Sequence, residues 1–331
     1  MRNLFDQLKQ ITKEQWATFI ITVSLCLTWF NICQEHGWGG DHDLLTSFVF
    51  TAMSHSNHIG PNHNPKIAGG HFGSLQSAWK GRVLSLWCAG VLIDLLDPES
   101  IDEMNFAVGF YQLFWLVATI LLLWLVKLFN LRVMLFVFIG LIFSLTPDPT
   151  IYPWDMPSMF MWTLVYVLWH YGKLGWMTVA IILGTLFKET VAVLALLFLF
   201  RDGAKARRID LFVICFVGCV VCRLLISHFV LGQTTLINFA STPGWPSGLN
   251  IFNEITRFFS DPFNLRILFV GGGVFLVAFI FPIDKRIKFI MGVTLLCLTV
   301  EPILCHGNYE CRVFDDILPI LAVQLRGFRI T

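Results

Sequence analysis

Apolar residues run through this chain in long blocks, and polar residues punctuate them in short segments. Blocks of span-like length occur at 16–33, 104–126, 131–146, 156–171, 211–231, 265–282, 288–304 and 313–325. A further block, 174–200, is interrupted by Lys188-Glu189. An ionised pair in mid-bilayer is expensive, so the pattern predicts two short helices, 174–187 and 190–200, meeting at one membrane surface. Ten spans result, several of them short. Gly172-Lys173 predicts a tight turn ahead of the broken pair. The run 83–96 is apolar but short, and 44–53 is shorter still; both read as interfacial or re-entrant helices. They fall within a long loop, 34–103, that would lie on the membrane as a structured cap. A second long loop, 232–264, carries a Pro/Gly-rich stretch that could serve as a mobile acceptor lid or as an ordinary connection. The fold expected is all-α and polytopic: one integral membrane domain over residues 1–331, with about ten transmembrane helices.

Composition supports the membrane class. Mean hydropathy is +0.70, with 56% hydrophobic and only 14% charged residues. A soluble chain of this length could not hide so much apolar surface, which leaves the bilayer as solvent. The formal net charge of +1 gives no basis for a nucleic-acid partner. No cleavable leader is expected, because Trp16–Cys33 is followed by Gln34-Glu35-His36 rather than by small residues.

Orientation follows from the basic residues. With the N-terminus in the cytoplasm and ten crossings, one side collects 15 of the 23 Lys and Arg, among them Lys127, Lys173, Lys205, Lys285, Arg286 and Lys288. That side holds only Asp6, Glu14, Asp202, Asp210 and Asp284 of the 22 acids. Both termini are therefore expected to be cytoplasmic. Short loops and the lack of retrieval signals point to a bacterial plasma membrane.

The reactive-looking residues collect on the opposite face. Gly39-Gly40-Asp41-His42-Asp43 follows the first span, and Arg82 precedes the run 83–96. Asp155 sits ahead of Met156-Pro157, and Lys188-Glu189 sits at the helix break. The last outer loop contains Glu310-Cys311-Arg312 and continues to Asp315-Asp316. Six of nine histidines fall within 36–71, but their spacing matches no zinc signature and no HExxH motif occurs. The residues require no metal, although outer-face carboxylates could take a divalent cation. Cys215, Cys219 and Cys222 share one span and read as packing residues. Arg223, midway along the same span, should point into the protein or pair with an acid. Trp79, Trp154 and Trp245 could stack on sugar rings at the outer surface or belong to an interfacial aromatic belt.

This layout resembles the GT-C superfamily of membrane glycosyltransferases, which use lipid-phosphate-linked sugars. Asp41 and Asp43 after the first helix resemble the acidic motif at the start of that family's long outer loop. Gly184-Thr185-Leu186-Phe187-Lys188 resembles its Gly-x-x-x-Lys turn. Tyr309-Glu310-Cys311-Arg312-Val313-Phe314 resembles a Glu-x-Arg-x-Phe segment before the last helix. Many such enzymes carry an adjacent acidic pair, whereas here His42 separates Asp41 from Asp43. The resemblance implies a lipid-linked sugar donor and an acceptor glycan, lipid or protein. Asp41 or Asp43 would be the base. Arg82, Lys188 and Arg312 would hold the donor phosphate. Asp155 and Glu310, with Glu189 beside them, would orient the acceptor or a cation.

Each residue also has an ordinary reading. Asp41 and Asp43 could be turn acids. Asp155 could cap the next helix. Lys188 could snorkel to the interface with Glu189 as partner, and Glu310 with Arg312 could form structural ion pairs. A transporter or flippase for a polar or lipid-linked solute is the alternative function, since broken helices also build transport sites.

Overall fold

The computed structural model describes residues 13–35, 83–96, 101–145, 154–200, 205–229, 251–262, 265, 279–304 and 315–325. Among them all regular structure is helical and there is no strand. In chain order the helices are α1 (Lys13–Glu35), α2 (Val83–Leu96), α3 (Ile101–Leu125), α4 (Leu131–Leu145), α5 (Asp155–His170) and α6 (Leu174–Gly184). A 3-10 helix, Glu189–Phe200, follows, then α7 (Lys205–Phe229), α8 (Ile251–Ser260), α9 (Lys285–Leu304) and α10 (Leu318–Leu325).

Helix α5 is the hub. Twelve of its sixteen residues are buried, Met156, Met159, Trp162 and Val165 among them. It packs on α3, α6, α10 and the 3-10 helix. Around it, α1 packs on α3, α10 on α4, and α7 on α6 and the 3-10 helix. The outer helices bury little. Only 17% of the Trp16–Cys33 stretch of α1 is buried, and Phe19, Ile20, Leu27, Phe114, Trp124, Ile214 and Val217 are exposed. By length and composition Trp16–Cys33 is the one stretch among the described residues able to cross a membrane; Gly109–Leu125, Leu131–Ile142, Leu174–Gly184 and Glu189–Phe200 are shorter apolar helices.

Local chemistry sets the turns. Lys127, at φ 57°, closes α3 in a left-handed turn, with Leu128 N–H and Phe129 N–H donating to Leu123 C=O at 2.9 and 3.1 Å. Asn130 then caps α4, its side-chain oxygen accepting Val133 N–H at 2.9 Å. The tight turn expected at Gly172-Lys173 is present. Gly172 takes φ 71°, and the Gly172 and Lys173 amides donate to Trp169 and Leu168 C=O, which satisfies the last carbonyls of α5.

These turns lie at one end of the bundle. Tyr171 OH donates to Val126 C=O at 2.9 Å. Arg286 stands over the Trp169 ring at 5.8 Å. Asp284 N–H donates to Gln324, whose amide in turn donates to Tyr166 OH.

Boundaries differ from the hydropathy blocks where polar residues continue a helix. Helix α3 begins at Ile101, so Asp102 and Glu103 are helical. Helix α7 begins at Lys205, which brings Arg207, Arg208 and Asp210 onto it. The run 83–96 is helical as expected and packs on α3, with Tyr111 OH donating to Ser85 C=O at 3.2 Å. The predicted break at Lys188 is also present, but the segment after it winds as 3-10 rather than α. The expected helix 44–53, most of the expected span 265–282, and most of the cap 34–103 and the loop 232–264 lie outside the described residues.

Candidate functional site

The end of the bundle opposite the Gly172 turn gathers charge. Asp155 is the first residue of α5. Lys188 ends the turn between α6 and the 3-10 helix, and Asp315 and Asp316 precede α10. Lys188 Nζ lies 3.2 Å from Asp316 Oδ2 and 3.8 Å from Asp155 Oδ1. Thr190 Oγ1 donates to Asp316 Oδ2 at 3.0 Å. Lys188, Asp155, Asp315 and Asp316 are each no more than 2% exposed. Three segments, the last more than a hundred residues beyond the other two, thus share one buried ionic cluster.

Backbone geometry delivers Lys188 to it. The amides of Thr185, Leu186, Phe187 and Lys188 donate to the Ile181, Leu183 and Gly184 carbonyls, so the chain turns tightly rather than stretching away. Gly184 makes room for the return: a Cβ there would meet Val191 Cγ1 at 2.5 Å. Helix α2 braces the turn from outside, Leu84 N–H donating to Leu186 C=O at 3.1 Å. Asp155, in the first turn of α5, also sits favourably toward that helix's positive end. It is not the N-cap: Trp154 occupies that position and makes no side-chain cap. Instead Gln112 Oε1 accepts Met156 N–H at 3.3 Å.

A second ion pair stands beside the first. Arg223 Nη1 lies 3.7 Å from Glu189 Oε2 and donates to Thr185 C=O at 2.8 Å. Its side chains are 31% and 36% exposed. This supplies the acid that the sequence left unnamed for Arg223. Cys215 and Cys219, on the same helix, are buried in the core. The aromatic expectation for Trp154 is corrected. It is 1% exposed, because the first turn of α5 is packed inward, so its ring is not available at a surface for stacking on a sugar.

The expected sites divide accordingly. Asp155, Lys188 and Glu189 come together at one end, whereas Asp41, Asp43, Arg82, Glu310 and Arg312 lie outside the described residues. The Lys188 ammonium lies between the Asp155 and Asp316 carboxylates, buried with both of them. Asp316 and Thr190 were given no role from sequence. Asp315-Asp316 beginning the last apolar run was the available signal. Among the described residues no three His, Cys, Asp or Glu side chains are grouped to hold a metal ion.

Comparison with known proteins gives no match to a family model, to a curated protein or to a solved structure.

Proposed function

We propose that this chain is a multi-pass membrane glycosyltransferase that moves a sugar from a lipid-phosphate donor to an acceptor hydroxyl at the non-cytoplasmic face. One observation carries the reading. The chain segments leading to every candidate residue start from the same end of the bundle, around the Lys188 cluster. Phe30 of α1 meets Phe106 of α3 edge-on at 5.4 Å, in the part of α3 that leads to the Gln112 bonded to Met156, so α1 reaches Cys33 at this same end. Asp41 follows it by eight residues, about 27 Å at full extension. Arg82 immediately precedes α2, whose first turn is bonded to Leu186. Glu310 and Arg312 precede Asp315 by five and three residues. The basic turns Lys127, Lys173 and Asp284-Lys285-Arg286 belong to the other end, in keeping with a cytoplasmic face.

The exposed apolar side chains of α1, α3, α4 and α7 support the bilayer as the medium around the bundle. An isolated Lys–Asp cluster inside such a bundle costs several kcal/mol of desolvation per ion, which favours a functional reason for retaining it.

In the proposed reaction, Asp41 or Asp43 takes the acceptor hydroxyl proton. The acceptor oxygen forms a bond to the anomeric carbon while the bond from that carbon to the phosphate oxygen breaks. The lipid phosphate leaves with the electron pair, and Arg82 and Arg312 balance its charge. Lys188, with Asp155 and Asp316, fixes the ends of α5, the 3-10 helix and α10 beneath the site.

Sugar transfer from a polyprenyl-phosphate sugar in proteoliposomes tests this. Asp41→Asn or Asp43→Asn should abolish transfer in a protein that still folds. Full activity in the double variant would remove the base assignment. Labels introduced at residues 41 and 310 should react from the same side of the membrane; opposite sides would end the reading. The broken helix at Lys188 favours one rival, a transporter of a polar or lipid-linked solute. Solute flux without any sugar donor is its signature.

A further inference from the structure

At the opposite end, α9 carries a groove of about 500 Å³. Phe279, Phe289, Gly292 and Leu296 line its apolar length, and Lys285 and Lys288 stand at its mouth. Leu296, Phe289 and Phe279 are exposed along it. Gly292 keeps it open: a Cβ there would already be in contact with Phe279 at 3.6 Å, so a longer side chain would occupy the channel.

Among the described residues the mouth carries positive charge. Asp284 is the nearby acid, and it is engaged with Arg286, 3.9 Å from its Nε and accepting the Arg286 amide at 2.8 Å. Arg286 turns away over Trp169. Lys288 Nζ donates to Phe279 C=O at 2.7 Å, which anchors it at the rim and leaves further N–H donors. Lys285 is exposed. Both lysines lie in the first turn of a 20-residue helix, whose positive end adds to the attraction for an anion.

The length of the groove selects the ligand. From Lys285 to Leu296 the helix rises about 16 Å, and half of a bilayer's hydrocarbon core is about 15 Å. Two cations at one end of an apolar channel one leaflet deep match a phosphate head with a single acyl chain below it.

We propose that this groove binds one anionic phospholipid of the cytoplasmic leaflet, with its phosphate on Lys285 and Lys288 and an acyl chain running past Gly292 to Leu296. The proposal rests on the membrane placement above and is independent of the transferase chemistry.

The test uses the full chain in nanodiscs made from equal parts phosphatidylglycerol and phosphatidylcholine. Retained lipid is counted by native mass spectrometry after transfer to detergent, and quenching of tryptophan fluorescence by brominated lipid reports insertion. Wild type should retain phosphatidylglycerol in preference to phosphatidylcholine. Lys285→Ala with Lys288→Ala should lose that preference, about fivefold per lysine, and Gly292→Leu should release the lipid with both lysines present. If the double variant misfolds, Lys285→Glu at the exposed position carries the charge test alone. Equal retention of both lipids by wild type, or undiminished phosphatidylglycerol retention in a folded variant, overturns the site. Absence of quenching in wild type would instead remove the membrane placement itself.

Discussion

Lys188 and Glu189 are neighbours in sequence, yet they belong to two different electrostatic regimes. Lys188 is enclosed with Asp155 and Asp316, almost without solvent contact. Glu189 meets Arg223 with roughly a third of each side chain exposed. In the enclosed cluster each charge has given up its hydration, so the partners depend on one another, and removing one leaves the others uncompensated. In the open pair, surrounding medium still screens both ions and little depends on the contact. The same turn therefore builds one interaction the fold cannot lose and one it can.

Lys188→Met should break the difference most strongly. It strands two buried carboxylates and should cost about 3–5 kcal/mol, read as the largest fall in thermal stability in detergent. The double variant Lys188→Met with Asp316→Asn sharpens the point. It should recover part of that loss, because one uncompensated charge goes with the lysine; equal instability in single and double variants would show that packing, not charge, dominates.

Gly184→Ala comes next, at about 1–3 kcal/mol of overpacking against Val191. Stability should recover when Val191→Ala is added. Asp155→Asn should cost less than Asp316→Asn in the same assay, since Asp155 is the more distant partner and Asp316 also accepts from Thr190. Smallest of all, Glu189→Gln should cost no more than about 1 kcal/mol, and raising salt should shrink even that. A loss from Glu189→Gln as large as that from Lys188→Met would erase the distinction between the two regimes.

Much of the fold was legible along the chain. The blocks 131–146 and 156–171 coincide closely with α4 and α5, because long apolar runs leave helix as the way to satisfy the backbone and Pro157 falls in the first turn of α5, where its missing N–H costs no helical bond. Lys188-Glu189 announced the break, and Gly172 announced its turn. The polar starts of α3 and α7 were missed, since helix propensity extends past the apolar limits that hydropathy detects. The 3-10 winding of 189–200 was illegible too, for an apolar run is the same in either winding.

What the sequence determined by itself was the class of elements and the separation of acids from bases along the chain, both of which are local properties of residue order. Which acid Lys188 would meet was decided only in three dimensions. Asp315 and Asp316 are indistinguishable as text, and Asp316 is reached because α10 packs against α5 and presents its start to the Thr185–Lys188 turn. Burial, which turns an ordinary lysine into one that the fold depends on, is a property of the assembled bundle and is written at no single position.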